Sequence, residues 1–186
     1  MNELETRIID IDVDDIRCKL VALGSEKVKD ENQINDIYDF EDGRLLNAKG
    51  YARIRTTIDK LSGKETYYMT TKKMLSQGTF KVMEENETIV EDKEMARGIY
   101  LSLGLVQHKC IKKSRESYKF KNSLVEIDIN DKSFCPFPYI EIETSDVENL
   151  KEIVELLGYT LEDTTSKTIY ELLADKGIGN KDAKGL

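Results

Sequence analysis

The chain has 186 residues, 39% hydrophobic and 34% charged, which suits one globular domain with a sizeable core. A net charge of −8, from 28 basic and 36 acidic side chains, argues against general nucleic-acid binding. No apolar run approaches the roughly 20 residues of a membrane helix, and no signal-like segment precedes the charged start at Glu3, so neither a membrane nor a secretory route is expected.

In chain order, strands are expected near 2–10, 33–41, 50–58, 65–73, 79–90, 107–120, 123–130 and 138–144. A first helix follows strand one, capped by Asp12 or Asp14, with Ile16, Leu20 and Leu23 as its apolar stripe and Gly24 as its stop. A second, over 92–103, is capped by Asp92 and carries Met95, Ile99 and Leu103 as its stripe before Gly104. A third, over 146–157, starts at Ser145 or Asp146 and turns Leu150, Ile153, Val154 and Leu157 inward before Gly158. A fourth, near 165–175, carries Ile169, Leu172 and Leu173. No Pro/Gly/Ser-rich linker divides the chain, so residues 1–175 read as one domain and 176–186 as a fraying tail. Cys18, Cys110 and Cys135 are odd in number and lack C-x-x-C spacing, against zinc or a disulfide framework and for a reducing cytoplasm. His108 is the only histidine and leaves one weak candidate base.

The strands carry charge at every second position. The start Glu3-Leu4-Glu5-Thr6-Arg7 sets the pattern. Arg53-Ile54-Arg55, Glu85-Asn86-Glu87, Lys113-Ser114-Arg115, Glu126-Ile127-Asp128 and Glu141-Ile142-Glu143 repeat it. Residues i and i+2 of a strand share a face, so each pair sets two like charges side by side. Like neighbours repel unless something compensates them. Basic pairs suit a polyanion, acidic pairs a divalent cation, and a polyphosphate carried with its metal suits both. The other face is apolar: Leu4, Ile8, Ile54, Phe80, Val82, Val125, Ile127, Ile140 and Ile142. An ordinary sandwich would leave the charged face outside. If the amphipathic helices instead cover the apolar face, the charged face lines a wet interior that needs a ligand. The expected fold is α+β: an eight-stranded antiparallel β-barrel with helices packed outside.

These residues in this order resemble the CYTH family, the triphosphate tunnel metalloenzymes, nearest its class IV adenylate cyclase branch. The start resembles the family's Glu-x-Glu-x-Lys signature, and Asp36-Ile37-Tyr38-Asp39-Phe40 with Gly43-Arg44-Leu45-Leu46 its second strand and turn. Arg53-Ile54-Arg55, Thr70-Thr71-Lys72, Glu85-Asn86-Glu87, Lys113-Ser114-Arg115, Val125-Glu126-Ile127-Asp128 and Tyr139-Ile140-Glu141-Ile142-Glu143 follow its later strands. The resemblance implies phosphate ligands at Arg53, Arg55, Lys72, Lys113 and Arg115, with Glu85 and Glu87 on the substrate side. It implies Glu3, Glu5, Glu141 and Glu143 as ligands of Mg²⁺ or Mn²⁺, and Arg7, Lys72 and Asp128 as the catalytic set. The implied partner is a small triphosphate, with no nucleic acid and no membrane; a homodimer is left open.

Two positions depart from the pattern. Arg7 replaces the signature Lys and, always protonated, cannot serve as a base. Met83 stands where many members carry a basic residue, which removes one expected phosphate contact. Two reactions use this equipment: a ribose hydroxyl attacking the α-phosphorus, as in a cyclase, or water attacking the terminal phosphorus, as in a triphosphatase. A nucleotide- or polyphosphate-binding module without turnover is the alternative.

Overall fold

The first strand already shows why a barrel forms. In β1 (Asn2–Ile9) Leu4, Thr6 and Ile8 face one way, Glu5 and Arg7 the other, and both faces are covered. The strand pairs antiparallel with β5 (Lys81–Val90) on one side and β8 (Tyr139–Thr144) on the other. Those pairings close a barrel of strand order β1-β5-β4-β3-β2-β6-β7-β8. The other members are β2 (Glu26–Asp39), β3 (Gly50–Asp59), β4 (Glu65–Gln77), β6 (Val106–Phe120) and β7 (Ser123–Asn130). This computed structural model describes the backbone of residues 2–178 and the side chains from Leu4 onward.

The apolar strand face points outward, under the helices. Ile8, Val125, Ile127, Ile140 and Ile142 pack beneath α1 (Val13–Ala22) and α4 (Val147–Leu156), against Ile16, Leu20, Leu150, Ile153, Val154 and Leu157. A second cluster puts Ala52 and Ile54 under α3 (Lys93–Ser102). Each helix starts on an aspartate whose carboxylate accepts from the first-turn amides: Asp12 from Asp14 and Asp15, Asp92 from Glu94 and Met95, Asp146 from Glu148. Each ends on Leu-Gly with the glycine left-handed, at φ 71°, 86° and 84° for Gly24, Gly104 and Gly158.

The buried face of α3 differs from the expected stripe. Met95, Ile99 and Leu103 are 67%, 48% and 63% exposed, while Ala96 and Tyr100 are buried. The barrel wall admits the small Ala96, and the Tyr100 hydroxyl donates to the Thr70 carbonyl at 2.8 Å. That bond satisfies a buried hydroxyl and fixes the helix rotation.

Three more elements depart from expectation. β2 begins at Glu26 rather than near 33, because its exposed, polar first half pairs with β6 and shows no apolar alternation. A short helix α2 (Arg44–Asn47) stands where a turn is expected, with Asp39 accepting from the Leu45 and Leu46 amides. The last helix, α5 (Ile169–Asp175), starts later than 165, after an isolated bridge from Thr165 to Arg7. The first residues of the expected tail make contacts with the domain. Lys176 pairs with Asp10 at 2.7 Å, and the Ile178 amide donates to the Leu173 carbonyl. The rest of the expected tail, 179–186, lies outside the described residues.

Candidate active site in the barrel interior

The closed barrel turns the charged strand face inward, around a cavity of about 1490 Å³. β3 presents Arg53 and Arg55, each 9% exposed. One Arg55 guanidinium nitrogen donates to both Glu87 carboxylate oxygens at 2.8 and 2.9 Å, and Arg53 reaches Glu85 and Glu87 at 3.3 Å. On β4, Lys72 sits 2.8 Å from both Glu5 and Glu85. On β6, Lys113 lies 2.7 Å from Asp128, and Arg115 donates to both oxygens of the same carboxylate at 2.7 Å. Arg115 also pairs with Glu126 and reaches Glu141 at 3.5 Å. All five expected phosphate ligands therefore line one space. Asp128 holds two of them and is itself fully buried.

The acidic side of the tunnel is built by β1 and β8. Glu5, Glu141 and Glu143 each place a carboxylate oxygen within 4.8 Å of the other two. Glu3 lies on the same strand, but its side chain is outside the described residues. Burial and then the Glu126 charge push the Glu143 carboxyl well above the usual carboxylate range. Burial acts the same way on Glu141, but Arg7 and Lys81 outweigh it and hold that group well below. Three converging hard oxygen donors fit a small divalent cation.

Arg7 links this cluster to the C-terminal segment. One guanidinium nitrogen bonds Glu141, and the other donates to the Lys167 carbonyl at 3.0 Å. The Arg7 backbone exchanges both its hydrogen bonds with Thr165, at 3.0 and 2.8 Å. A lysine could not span those two partners, because only the planar fork offers donors in fixed directions.

The segment then lies across the tunnel mouth where β3 and β6 begin. Lys49 pairs with Glu171 at 2.8 Å, and Gln77 donates to the Ser166 carbonyl at 3.0 Å. Tyr170 packs edge-on against Phe134 and under Lys109.

Sequence reasoning missed Lys81 and Glu126 as parts of the site. Lys81 is 3% exposed and pairs with Glu5 and with Glu141, the latter at 3.3 Å. It precedes Met83 by two residues on the same inward face, so the strand carries a cation despite the methionine. The signal was available: counting back in twos from Glu87 and Glu85 reaches Met83 and then Lys81. The covering of the mouth by residues 165–171 had no comparable signal.

Lys113 gives the tunnel a pH response. Burial and then the Arg115 charge push its ammonium down to about 8, against the pull of Asp128. A phosphate ligand at this position would need the charged form, so its binding would take up a proton above that value. Tripolyphosphate affinity should fall as pH rises through about 8. In Lys113→Arg the fall should vanish, because arginine stays charged. Isothermal titration across this range checks it, and an equally steep fall in the variant would clear Lys113 of the effect.

Fold and site together define a class: a closed antiparallel tunnel whose cations and carboxylates face one another across a buried cavity. The CYTH domain family model matches residues 1–169, and the chain belongs to that family. The family is one of metal-dependent tunnel enzymes that act on triphosphates. Among solved structures, the chain is similar to the PH1819 protein of Pyrococcus horikoshii, at 22% identity and TM-score 0.77, covering 94% of this chain and 99% of that one. It is similar to a candidate adenylate cyclase of Vibrio parahaemolyticus, at 15% identity and TM-score 0.73, covering 92% and 97%. A third, HpAC1 of Hippeastrum, is described as a candidate adenylyl cyclase with dominant triphosphatase activity; it is 18% identical, with TM-score 0.59 and coverage of 99% and 94%. No curated protein sequence matches the chain. No helix among the described residues is long and apolar enough to cross a membrane.

Proposed function

We propose that this protein is a divalent-metal-dependent enzyme that cleaves a phosphoanhydride bond of a triphosphate held in the tunnel. Its chemistry is either class IV adenylate cyclase-like or that of a triphosphatase. One observation carries the reading: Arg53, Arg55, Lys72, Lys81, Lys113 and Arg115 converge on a cavity that also holds the Glu5, Glu141 and Glu143 cluster. A triphosphate brings about four negative charges, and positioning with charge neutralisation is most of phosphoryl-transfer catalysis.

In this reading Arg53 and Arg55 on one wall and Lys113 and Arg115 on another grip successive phosphates. Without substrate they are held by Glu85, Glu87 and Asp128, so they are aimed before it arrives. Asp128, paired with both β6 cations, acts through them as a positioning residue. Lys72 neutralises charge from a third wall. Arg7 stabilises negative charge but takes no proton. Mg²⁺ or Mn²⁺ bound by Glu5, Glu141 and Glu143, with Glu3, would neutralise phosphate oxygens as charge develops. The free thiols of Cys18, Cys110 and Cys135 support a reducing, cytoplasmic setting.

The test is incubation with ATP and with tripolyphosphate in Mn²⁺, resolving cyclic AMP, pyrophosphate and phosphate. Cyclic AMP with pyrophosphate identifies a cyclase, and phosphate release a triphosphatase. Tight binding of both with no product would make the tunnel a binding module and sink the enzyme reading.

A further inference from the structure

One wall of the tunnel has a polarity that a phosphate chain does not need. On β2, Gln33 and Asn35 face inward and are 1% and 4% exposed; on β7, Asn130 is 7% exposed. The register places Gln33 and Asn130 on either side of Lys113, and Asn35 beside Arg55. These amides therefore flank the phosphate cradle, and Asn35 and Asn130 line the cavity.

They are also unpartnered. Neither amide atom of Asn35 has a hydrogen-bond partner, nor does the Gln33 oxygen or the Asn130 nitrogen. The Gln33 assignment follows from its nitrogen donating to the Glu31 carboxylate, which leaves the oxygen as the buried atom without a partner. Exchanging the Asn35 oxygen and nitrogen changes nothing, since both ends lack partners. Buried polar groups without partners cost free energy, and their presence in a native structure calls for a ligand or water.

The acceptors decide between ligands. Phosphate oxygens at neutral pH only accept, so they can satisfy the nitrogens of Asn35 and Asn130. Set against the Gln33 and Asn35 oxygens they would meet acceptor with acceptor. Those oxygens need an O–H or N–H donor. The cavity of about 1490 Å³ exceeds the roughly 300–1,000 Å³ typical of ligand pockets, which leaves room beyond a phosphate chain.

We propose that Asn35 and Asn130, with Gln33 behind them, recognise the organic part of the substrate, an uncharged donor- and acceptor-bearing group joined to the triphosphate, as in a nucleoside triphosphate. The assignment rests on the triphosphate reading and narrows it, away from inorganic tripolyphosphate. Sugar hydroxyls and a nucleobase amino group share the required chemistry. An amide can pair with both a donor and an acceptor on one purine edge.

Isothermal titration of the full-length protein with ATP, 3′-deoxy-ATP, purine riboside triphosphate and tripolyphosphate tests this. The wild type should bind ATP more tightly than tripolyphosphate. Asn35→Leu should lower the ATP-to-tripolyphosphate affinity ratio at least tenfold, and its melting temperature should hold or rise because an unpartnered amide is gone. If that variant does not fold, Asn130→Leu is read by the same ratio. A drop for 3′-deoxy-ATP assigns the contact to the sugar, and one for purine riboside triphosphate to the base. An unchanged ratio in a folded variant, or wild-type preference for tripolyphosphate, would overturn the proposal. Failure of the wild type to bind any of the four would overturn the triphosphate reading itself.

Discussion

Arg115→Ala should destabilise the protein by about 3–5 kcal/mol and abolish tight tripolyphosphate binding. Arg115 is 8% exposed and stands between three carboxylates: both oxygens of Asp128 at 2.7 Å, Glu126, and Glu141 at 3.5 Å. Truncation would strand buried acids whose ionised forms depend on it. Asp128 is the clearest case: burial pushes its carboxyl up, and Arg115 with Lys113 brings it down to about 2. Arg115→Lys restores a charge but not the fork, so it should recover most of the stability and little of the phosphate affinity. Urea unfolding reads the first quantity and isothermal titration the second. Wild-type tripolyphosphate affinity in a folded Arg115→Ala protein would remove this residue from the phosphate cradle.

Glu143→Gln should weaken Mn²⁺ binding at least tenfold and abolish the proton release that accompanies it. Glu143 sits beside Glu5 on the paired strand β1, two residues from Glu141 on β8 and next to Glu126 on β7, and Lys72 and Arg115 are the cations felt there. With its pKa raised by burial and then Glu126, the carboxyl carries a proton at pH values where an ordinary glutamate has lost it. A cation must displace that proton, so affinity for Mn²⁺ falls as pH falls through the raised value. Without metal the sign for stability follows from the same shift. Between the ordinary and the raised pKa the folded state binds more protons than the unfolded chain, so stability declines as pH rises through that window. Glutamine removes that slope while keeping the side chain's shape. Titration with Mn²⁺ in two buffers of different ionisation enthalpy measures the released proton. Tripolyphosphate binding without metal should change less than the metal affinity. Full turnover in EDTA, or unchanged proton release in the variant, would show that these carboxylates do not form the metal site.

The alternating charges made most of this site readable from sequence. Alternation in a strand is a statement about faces, so Arg53 with Arg55 and Glu141 with Glu143 had to share one. The helical stripes of Ile16 and Leu20, and of Leu150, Ile153 and Val154, had to cover the other. What failed was local size and polarity. In α3 periodicity points to the large apolar residues as the buried ones, yet the wall accepts Ala96 and gives the Tyr100 hydroxyl a partner. Residues 26–32 of β2 have no apolar alternation, because their partner is β6 rather than a core. Lys81 was hidden by Met83, although both sit on the face of Glu85. Gln33, Asn35 and Asn130 carry no charge and so left no mark on a pattern read from charge.

The order in which the chain comes together has its own consequence for the site. β1 pairs with β8, so the barrel closes only when the first strand meets the last. That contact is among the most non-local the chain makes, and such contacts form late and slowly. Glu5 lies on one side of this seam, Glu141 and Glu143 on the other. The acidic cluster does not exist until the seam is shut, when Arg7 on β1 also meets Glu141 on β8. A cation that joins the cluster's carboxylates binds only the closed form and shifts the balance toward it by mass action. The ion would thus act as a clasp on the final step of folding, and the rate at which the barrel reopens should depend on how much metal the surroundings supply.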